Sequence, residues 1–141
     1  MSDVDRSQRP AVEGSPETMG STLGIGGFET VDEGSARARL PVSARVLQPY
    51  GIVHGGAYAT LAESVASWAT WQVVGPELGA FGQTNDTSFL RPVSRGTIRA
   101  EARARHRGRT TWVWDVEMLD DEGRLCALSR VTVAVRPLRR D

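Results

Sequence analysis

Apolar and polar residues alternate loosely along residues 24–31 and again along 35–43, on either side of the turn-forming triplet Asp32-Glu33-Gly34. That pattern predicts a β-hairpin. The next segment behaves differently. Gly55 to Val74 is free of proline and rich in alanine, which predicts a helix. Leu61, Val65 and Trp68 make one apolar stripe on it, while Ala59, Ala62, Ala66 and Ala69 keep much of the remaining surface small and apolar. A helix apolar on nearly all sides is either buried or crosses a membrane. Thr60, Ser64, Ser67, Thr70 and Gln72 oppose insertion, and Glu63 sits well inside the span, so a buried central helix is predicted. After Gly75-Pro76 the period shifts to two. Residues 81–93, 97–107, 110–119 and 124–135 read as strands, separated by Ser94-Arg95-Gly96, Gly108-Arg109 and Asp120-Asp121-Glu122-Gly123. Ile98, Ala100, Ala102 and Ala104 share one face of the second of these, with Arg99, Glu101, Arg103 and Arg105 on the other. In the third, Trp112, Trp114, Val116 and Met118 oppose Val113, Asp115 and Glu117. The expected sheet is an antiparallel meander, wet on one face. Hairpin, long helix and four strands together predict an α+β domain whose helix lies on a curved sheet.

Composition narrows the function classes. The chain has 141 residues, which predicts one domain. The polar, acidic start reads as a disordered lead-in over residues 1 to about 20, followed by the domain at 21–141. That start has no apolar core of the kind a signal peptide needs, and a single cysteine, Cys126, excludes an intramolecular disulfide; both predict a cytoplasmic protein. All 17 basic residues are arginine and 17 acids cancel them, which argues against a polycation that holds nucleic acid by total charge. The distribution is uneven, however. Residues 91–141 carry 12 arginines against 7 acids. Arginines at 91, 95, 99, 103, 105, 107 and 109 read either as a solvated strand face paired with Glu101 and Asp115, or as a phosphate-binding rim. Trp112 and Trp114 could serve nucleic-acid stacking, but they share the apolar face with Val116 and Met118, which predicts core packing. Cys126 lies in an apolar strand and is expected to be inert.

The sharpest chemical signal is Gly51-Ile52-Val53-His54-Gly55-Gly56, running straight into the helix. Two glycines opening a helix leave backbone N–H groups that a carbonyl oxygen can approach closely. The positive end of the helix dipole favours negative charge developing on that oxygen. Glu63 is the only formal charge between Val46 and Pro76. Set among small apolar residues, it is expected to be desolvated and tuned for nucleophilic or general-base work. It lies about 12 Å along the axis from Gly55, at roughly 1.5 Å per residue. That distance is too long for one site unless substrate lies along the helix or a second chain completes it. His54 is expected to orient the loop by hydrogen bonding. The only other histidine is His106, so no metal site is expected.

Gly-Ile-Val-His-Gly-Gly-Ala-Tyr-Ala-Thr-Leu-Ala-Glu, followed by Thr-Ser-Phe-Leu-Arg-Pro-Val, Thr-Thr-Trp-Val-Trp-Asp-Val and Gly-Arg-Leu-Cys-Ala, resembles the hotdog-fold acyl-CoA thioesterases over about residues 24–140. The likeness is strongest to the Arthrobacter-type 4-hydroxybenzoyl-CoA thioesterases; phenylacetate-pathway and 1,4-dihydroxy-2-naphthoyl-CoA thioesterases carry a similar His-Gly-Gly segment and helix carboxylate. The resemblance implies a long central helix wrapped by a curved antiparallel sheet. It also implies hydrolysis of an aryl-CoA to the free acid and CoA, with no cofactor beyond the CoA of the substrate.

The same resemblance implies roles by position. Glu63 matches the catalytic carboxylate, Gly55 the N–H that polarises the thioester carbonyl, His54 its orienting neighbour, and Gln48 a glutamine near the thioester. Ser67 keeps a hydroxyl where the family has threonine. Arg91, Thr110 and Arg139 fall near phosphate-contacting positions, and Arg109 stands where the family has serine. Family members form active sites between two subunits, Glu63 facing Gly55 of the other chain, and pair their dimers into homotetramers. The alternatives are another acyl group (1,4-dihydroxy-2-naphthoyl, phenylacetyl or medium-chain), a non-catalytic acyl-CoA binder, or hydration of an enoyl-CoA. Hydration usually wants an Asp/His pair, and no aspartate lies between Val46 and Pro76.

Overall fold

The computed structural model describes residues 18–139. The first 17 residues of the expected lead-in lie outside the described residues. Thr18 caps a short helix, α1 (Met19–Leu23). The hairpin follows as β1 (Gly26–Asp32) and β2 (Ser35–Pro41), with the Asp32 carboxylate accepting the Gly34 N–H across the turn. A 3-10 turn at Ala44–Val46 leads into the long helix α2 (Gly55–Val73). The remaining strands are β3 (Leu78–Phe89), β4 (Thr97–Arg107), β5 (Thr111–Leu119) and β6 (Leu125–Pro137).

All six strands form one antiparallel sheet in the order β1-β2-β4-β5-β6-β3. This corrects the four-strand meander. β4, β5 and β6 do follow one another, but β3 lies at the far edge on β6 and never touches β4. β4 instead pairs with β2. Ser94-Arg95-Gly96 is therefore no hairpin turn. It ends a connection that runs from β3 to β4 across three strand spacings, about 14 Å. The strand stops at Phe89 because the Leu90 and Arg91 N–H groups both turn to the Cys126 carbonyl, at 2.8 and 3.1 Å. Pro92 then removes a donor that a strand would need.

Small residues line both sides of the helix–sheet interface. α2 buries Ala57, Ala62, Ala66 and Ala69 together with Tyr58, Leu61, Val65 and Thr70. The sheet buries Ala36, Ala38, Ala100, Ala102 and Ala127. Trp112 and Trp114, stacked at 5.9 Å, fill the core between the alanine-lined strands. Fully burying Leu61 and Val65 contributes about 1.5–3 kcal/mol each. The predicted inward faces of β4 and β5 are those observed. Among the described residues, no helix is long and apolar enough to cross a membrane. Cys126 is fully buried, and that burial pushes its thiol pKa up. The β5–β6 turn is closed by Asp120, which accepts the Glu122 and Arg124 N–H groups and the Arg124 Nε at 2.8–2.9 Å. Those donors, the Arg124 backbone first, hold its carboxyl below the usual value.

One buried polar contact ties α2 to the sheet. The Trp114 indole N–H donates to the Thr70 hydroxyl at 2.8 Å, and that hydroxyl donates to the Ala66 carbonyl. Thr70→Val keeps the volume and strands the indole donor, so it should cost about 1–3 kcal/mol. Urea denaturation followed by tryptophan fluorescence measures the loss; an unchanged midpoint would refute the account.

Candidate active site

The start of α2 is built by a compact loop. Leu47 and Val53 bridge, the Gln48 N–H donates to the Ile52 carbonyl at 2.8 Å, and the Gln48 Oε1 accepts the Tyr50 N–H at 2.7 Å. Gly51 makes the reversal in the left-handed region, φ 80°. Val53 and His54 are pinned through their N–H groups to the carbonyls of Val93 and Val46. His54 then caps the helix: its Nδ1 accepts the Gly56 N–H at 2.8 Å, and its carbonyl accepts the Ala57 N–H at 2.9 Å. The Gly55 N–H finds no partner among the described residues. It is a free donor at the positive end of a 19-residue helix, which suits an oxygen gaining negative charge. With its oxygen already accepting from Tyr50, the Gln48 side chain keeps its NH₂ donors to offer a ligand.

Gly55 opens onto a groove of about 480 Å³ that also takes in Gln48, Tyr58, Phe89 and Arg91. Tyr58 is buried, its hydroxyl has no partner among the described residues, and burial pushes its pKa to about 12. Glu63 lines a different groove of about 590 Å³ between α1, α2 and β3, with Met19, Thr60, Asn85 and Phe89. Phe89 borders both. Its ring covers the Gly55 α-carbon so closely that a Cβ there would lie 2.8 Å from Cζ, so a side chain at 55 would displace the ring. The desolvation expected of Glu63 is not met in the single chain, where the residue is exposed. Its charge is free to face whatever next covers the groove. Ser67, one turn further on, keeps a buried hydroxyl with no partner among the described residues.

The predicted site residues therefore fall into three places. Gln48, His54, Gly55 and Arg91 gather at the α2 N-terminal end; Glu63 and Ser67 lie along the helix; Arg109, Thr110 and Arg139 sit at the opposite end of the sheet. Strand register establishes the last separation, because Phe89, two residues before Arg91, pairs with Ala127, whereas Thr111 and Phe81 both pair with Ala134. One chain does not bring these groups together.

Sequence reasoning missed several supports. Asn85 donates from its Nδ2 to the Ala59 carbonyl at 2.9 Å, and Thr87 links Asn85 to Ser129, so a polar ladder joins β6, β3 and α2 beside Glu63. Arg136 donates to the Thr110 carbonyl at 2.7 Å and fixes the loop carrying Arg109 and Thr110. The polar run Gln83 to Ser88 in a strand next to an apolar helix was the available signal for the first. The second depends on a turn geometry that spacing does not reveal.

A helix laid on a wrapped antiparallel sheet, with a free glycine N–H at its start and a carboxylate along its length, is the hotdog architecture of thioester hydrolases. Residues 50–127 match the thioesterase superfamily model. The chain belongs to that superfamily, and it is a thioester hydrolase. It is 38% identical over 121 residues to the proofreading thioesterase EntH of Klebsiella pneumoniae, covering 86% of this chain and 88% of the relative. It is 35% identical over 108 residues to the 1,4-dihydroxy-2-naphthoyl-CoA hydrolase of Escherichia coli, covering 77% and 79%. Among solved structures, a mutant of thioesterase PA1618 from Pseudomonas aeruginosa superposes with a TM-score of 0.81 at 40% identity, over 86% of this chain and 87% of that one.

The cap gives a direct test of how Gly55 is held. His54→Ala removes the Gly56 acceptor and should cost about 1 kcal/mol of stability. His54→Asn, which restores a capping oxygen, should recover most of it. Thermal melts of both variants decide; equal losses would refute the capping role.

Proposed function

We propose that this chain hydrolyses an aryl-CoA thioester, of the 4-hydroxybenzoyl-CoA kind, to the free acid and CoA. The observation that carries the reading is the division of the machinery: the free Gly55 N–H and the Glu63 carboxylate face separate grooves on either side of Phe89. Among the described residues β3 is bonded on one side only, so its other edge is open beside both grooves. A two-fold axis across that edge sets one chain's β3 antiparallel to another's. It thereby brings the Gly55 and Arg91 end of one subunit towards the Thr110 and Arg139 end of its neighbour. Glu63 of one chain then meets Gly55 of the other, and two such dimers form the tetramer. The reading places the protein in the cytoplasm.

In this arrangement the thioester carbonyl oxygen accepts from the Gly55 N–H, held there by the His54 cap, and the Gln48 amide donates nearby. Glu63 acts from the other subunit in one of two ways. As a base it takes a proton from water, whose oxygen attacks the carbonyl carbon; as a nucleophile it attacks directly, and water then cleaves the resulting anhydride. Either way the C–S bond breaks, CoA leaves as thiolate and takes up a proton, and the acyl group leaves as the acid. The free Ser67 hydroxyl is placed to hold water one turn from Glu63. Arg91 with Arg109, Thr110 and Arg139 of the neighbouring chain receives the nucleotide phosphates, for which arginine's fork is suited. The acid–base chemistry comes from the chain's own residues.

The aryl class draws support from the relative named as a 1,4-dihydroxy-2-naphthoyl-CoA hydrolase, and that acyl group is the second reading. Glu63→Ala should abolish thiol release from the preferred CoA ester while leaving the circular dichroism spectrum unchanged. Near-wild-type turnover by that variant would sink the mechanism. Thiol trapping across hydroxybenzoyl, dihydroxynaphthoyl, phenylacetyl and aliphatic CoA esters ranks the acyl groups, and binding without thiol release would sink hydrolysis itself.

A further inference from the structure

Gly82 stands where β3 passes beneath Glu63. Its register partner on β6, Val133, is fully buried in the core, so a side chain at position 82 would point the same way, towards α2. Glu63 already fills that space. A Cβ built on Gly82 would lie 2.5 Å from the Glu63 carboxyl carbon, 2.6 Å from its Oε1 and 2.7 Å from its Cγ. No conformational demand explains the glycine, because Gly82 is absent from the positive-φ positions of the chain. The requirement is one of space. The strand also changes register between Gly82 and Thr84, inserting Gln83 as an extra residue next to the contact. Bulges of this kind re-aim a strand near functional groups.

We infer that Gly82 is a positioning residue for Glu63: its bare α-carbon seats the carboxylate against β3 and sets where its oxygens stand at the open strand edge. This inference rests on the proposed role of Glu63 and adds a constraint that the role alone does not contain. On one side the carboxylate is held by the helix backbone that carries it, and on the other by a strand it can approach only because no side chain intervenes. The Asn85 link to Ala59 keeps strand and helix at that separation. A methyl group at 82 must push the carboxylate away from the strand. A misplacement on the order of 1 Å at a reacting group can cost about 100-fold in rate.

The test is a pair of double-mutant cycles on the full chain. Gly82→Ala alone should lower kcat for the preferred CoA ester by roughly 10- to 100-fold with KM nearly unchanged. Glu63→Asp draws the carboxylate back by one methylene but keeps a carbon at the Cγ position, 2.7 Å from the built Cβ, so it should cost activity in the wild-type background and combine non-additively with Gly82→Ala. Melting temperature reads the contact without reference to activity. Gly82→Ala should raise the melting temperature in the Glu63→Ala background, where the methyl meets empty space, and lower it or leave it unchanged when Glu63 is present. Additive effects in both cycles would overturn the inference, as would coupling in the melts with wild-type kcat in Gly82→Ala. If Glu63→Ala kept full activity, the functional reading would fail and the positioning role with it, while coupled melts would still show the carboxylate seated on Gly82.

Discussion

The close approach of α2 to its sheet is the constraint on which the rest of the structure depends. Alanine dominates the buried face of the helix and recurs on the facing strands, so the backbones can come together with few long side chains between them. Close packing of small residues leaves little tolerance, since an extra methylene in a filled core costs about 1–3 kcal/mol. The tryptophans of β5 and the aliphatic residues of β6 fill what the alanines leave, and Thr70 gives the Trp114 indole its acceptor. A sheet that wraps a helix this tightly fixes the helix edge relative to β3. That fixed edge is why a carboxylate on α2 can rest directly on a glycine of the strand.

From the same geometry follows the division of the site. A helix in the concavity of its own sheet presents its N-terminus at one end and its middle at one edge. Gly55 and Glu63 cannot converge within a chain, because a rigid helix keeps about 12 Å between them. What remains is a strand edge with unpaired backbone groups, flanked by exposed Phe89 and by two grooves. Long open edges are a liability unless something covers them. A partner that pairs with β3 relieves the edge and supplies the missing half of the chemistry in one step. In the isolated chain Glu63 is exposed; under such a partner it would lose water, which is the condition the sequence pattern suggested.

Legibility in the sequence followed the range of the interactions. The hairpin, the helix and the inward faces of β4 and β5 are readable because period and turn residues are local. The position of β3 is not. A strand followed by Ser-Arg-Gly and another strand looks like a hairpin, and only the bonds from Leu90 and Arg91 to the Cys126 carbonyl, more than thirty residues away, show that the chain crosses the sheet instead. The candidate residues at the helix start were legible because a Gly-Gly opening and a lone carboxylate are chemically unusual. Gly82 and Asn85 do not stand out in the sequence, because their roles arise from what lies across from them. A glycine demanded by a neighbour's carboxylate looks, in sequence, like any other glycine in a strand.

The arginine-rich second half can now be divided by place. On the outer sheet face Arg103, Asp115, Arg130 and Asp86 stand opposite one another across four strands, and Arg105 adds a second cation to Asp115. Arg107 reaches Glu33, and Arg124 closes its own turn on Asp120. Apart from the contact on the buried Asp120, these are solvated pairings of the kind worth about 0–1 kcal/mol each. Arg91, Arg109 and Arg139 lie off that face, at the two ends of the sheet; like Arg95, Arg99 and Arg103, they take part in no ion pair among the described residues. A cation that a protein leaves unpaired beside a groove is free to meet an anion from outside. The total charge of zero conceals this distinction, because the arginines that pair with acids and those left unpaired at the two ends of the sheet are different residues in different places.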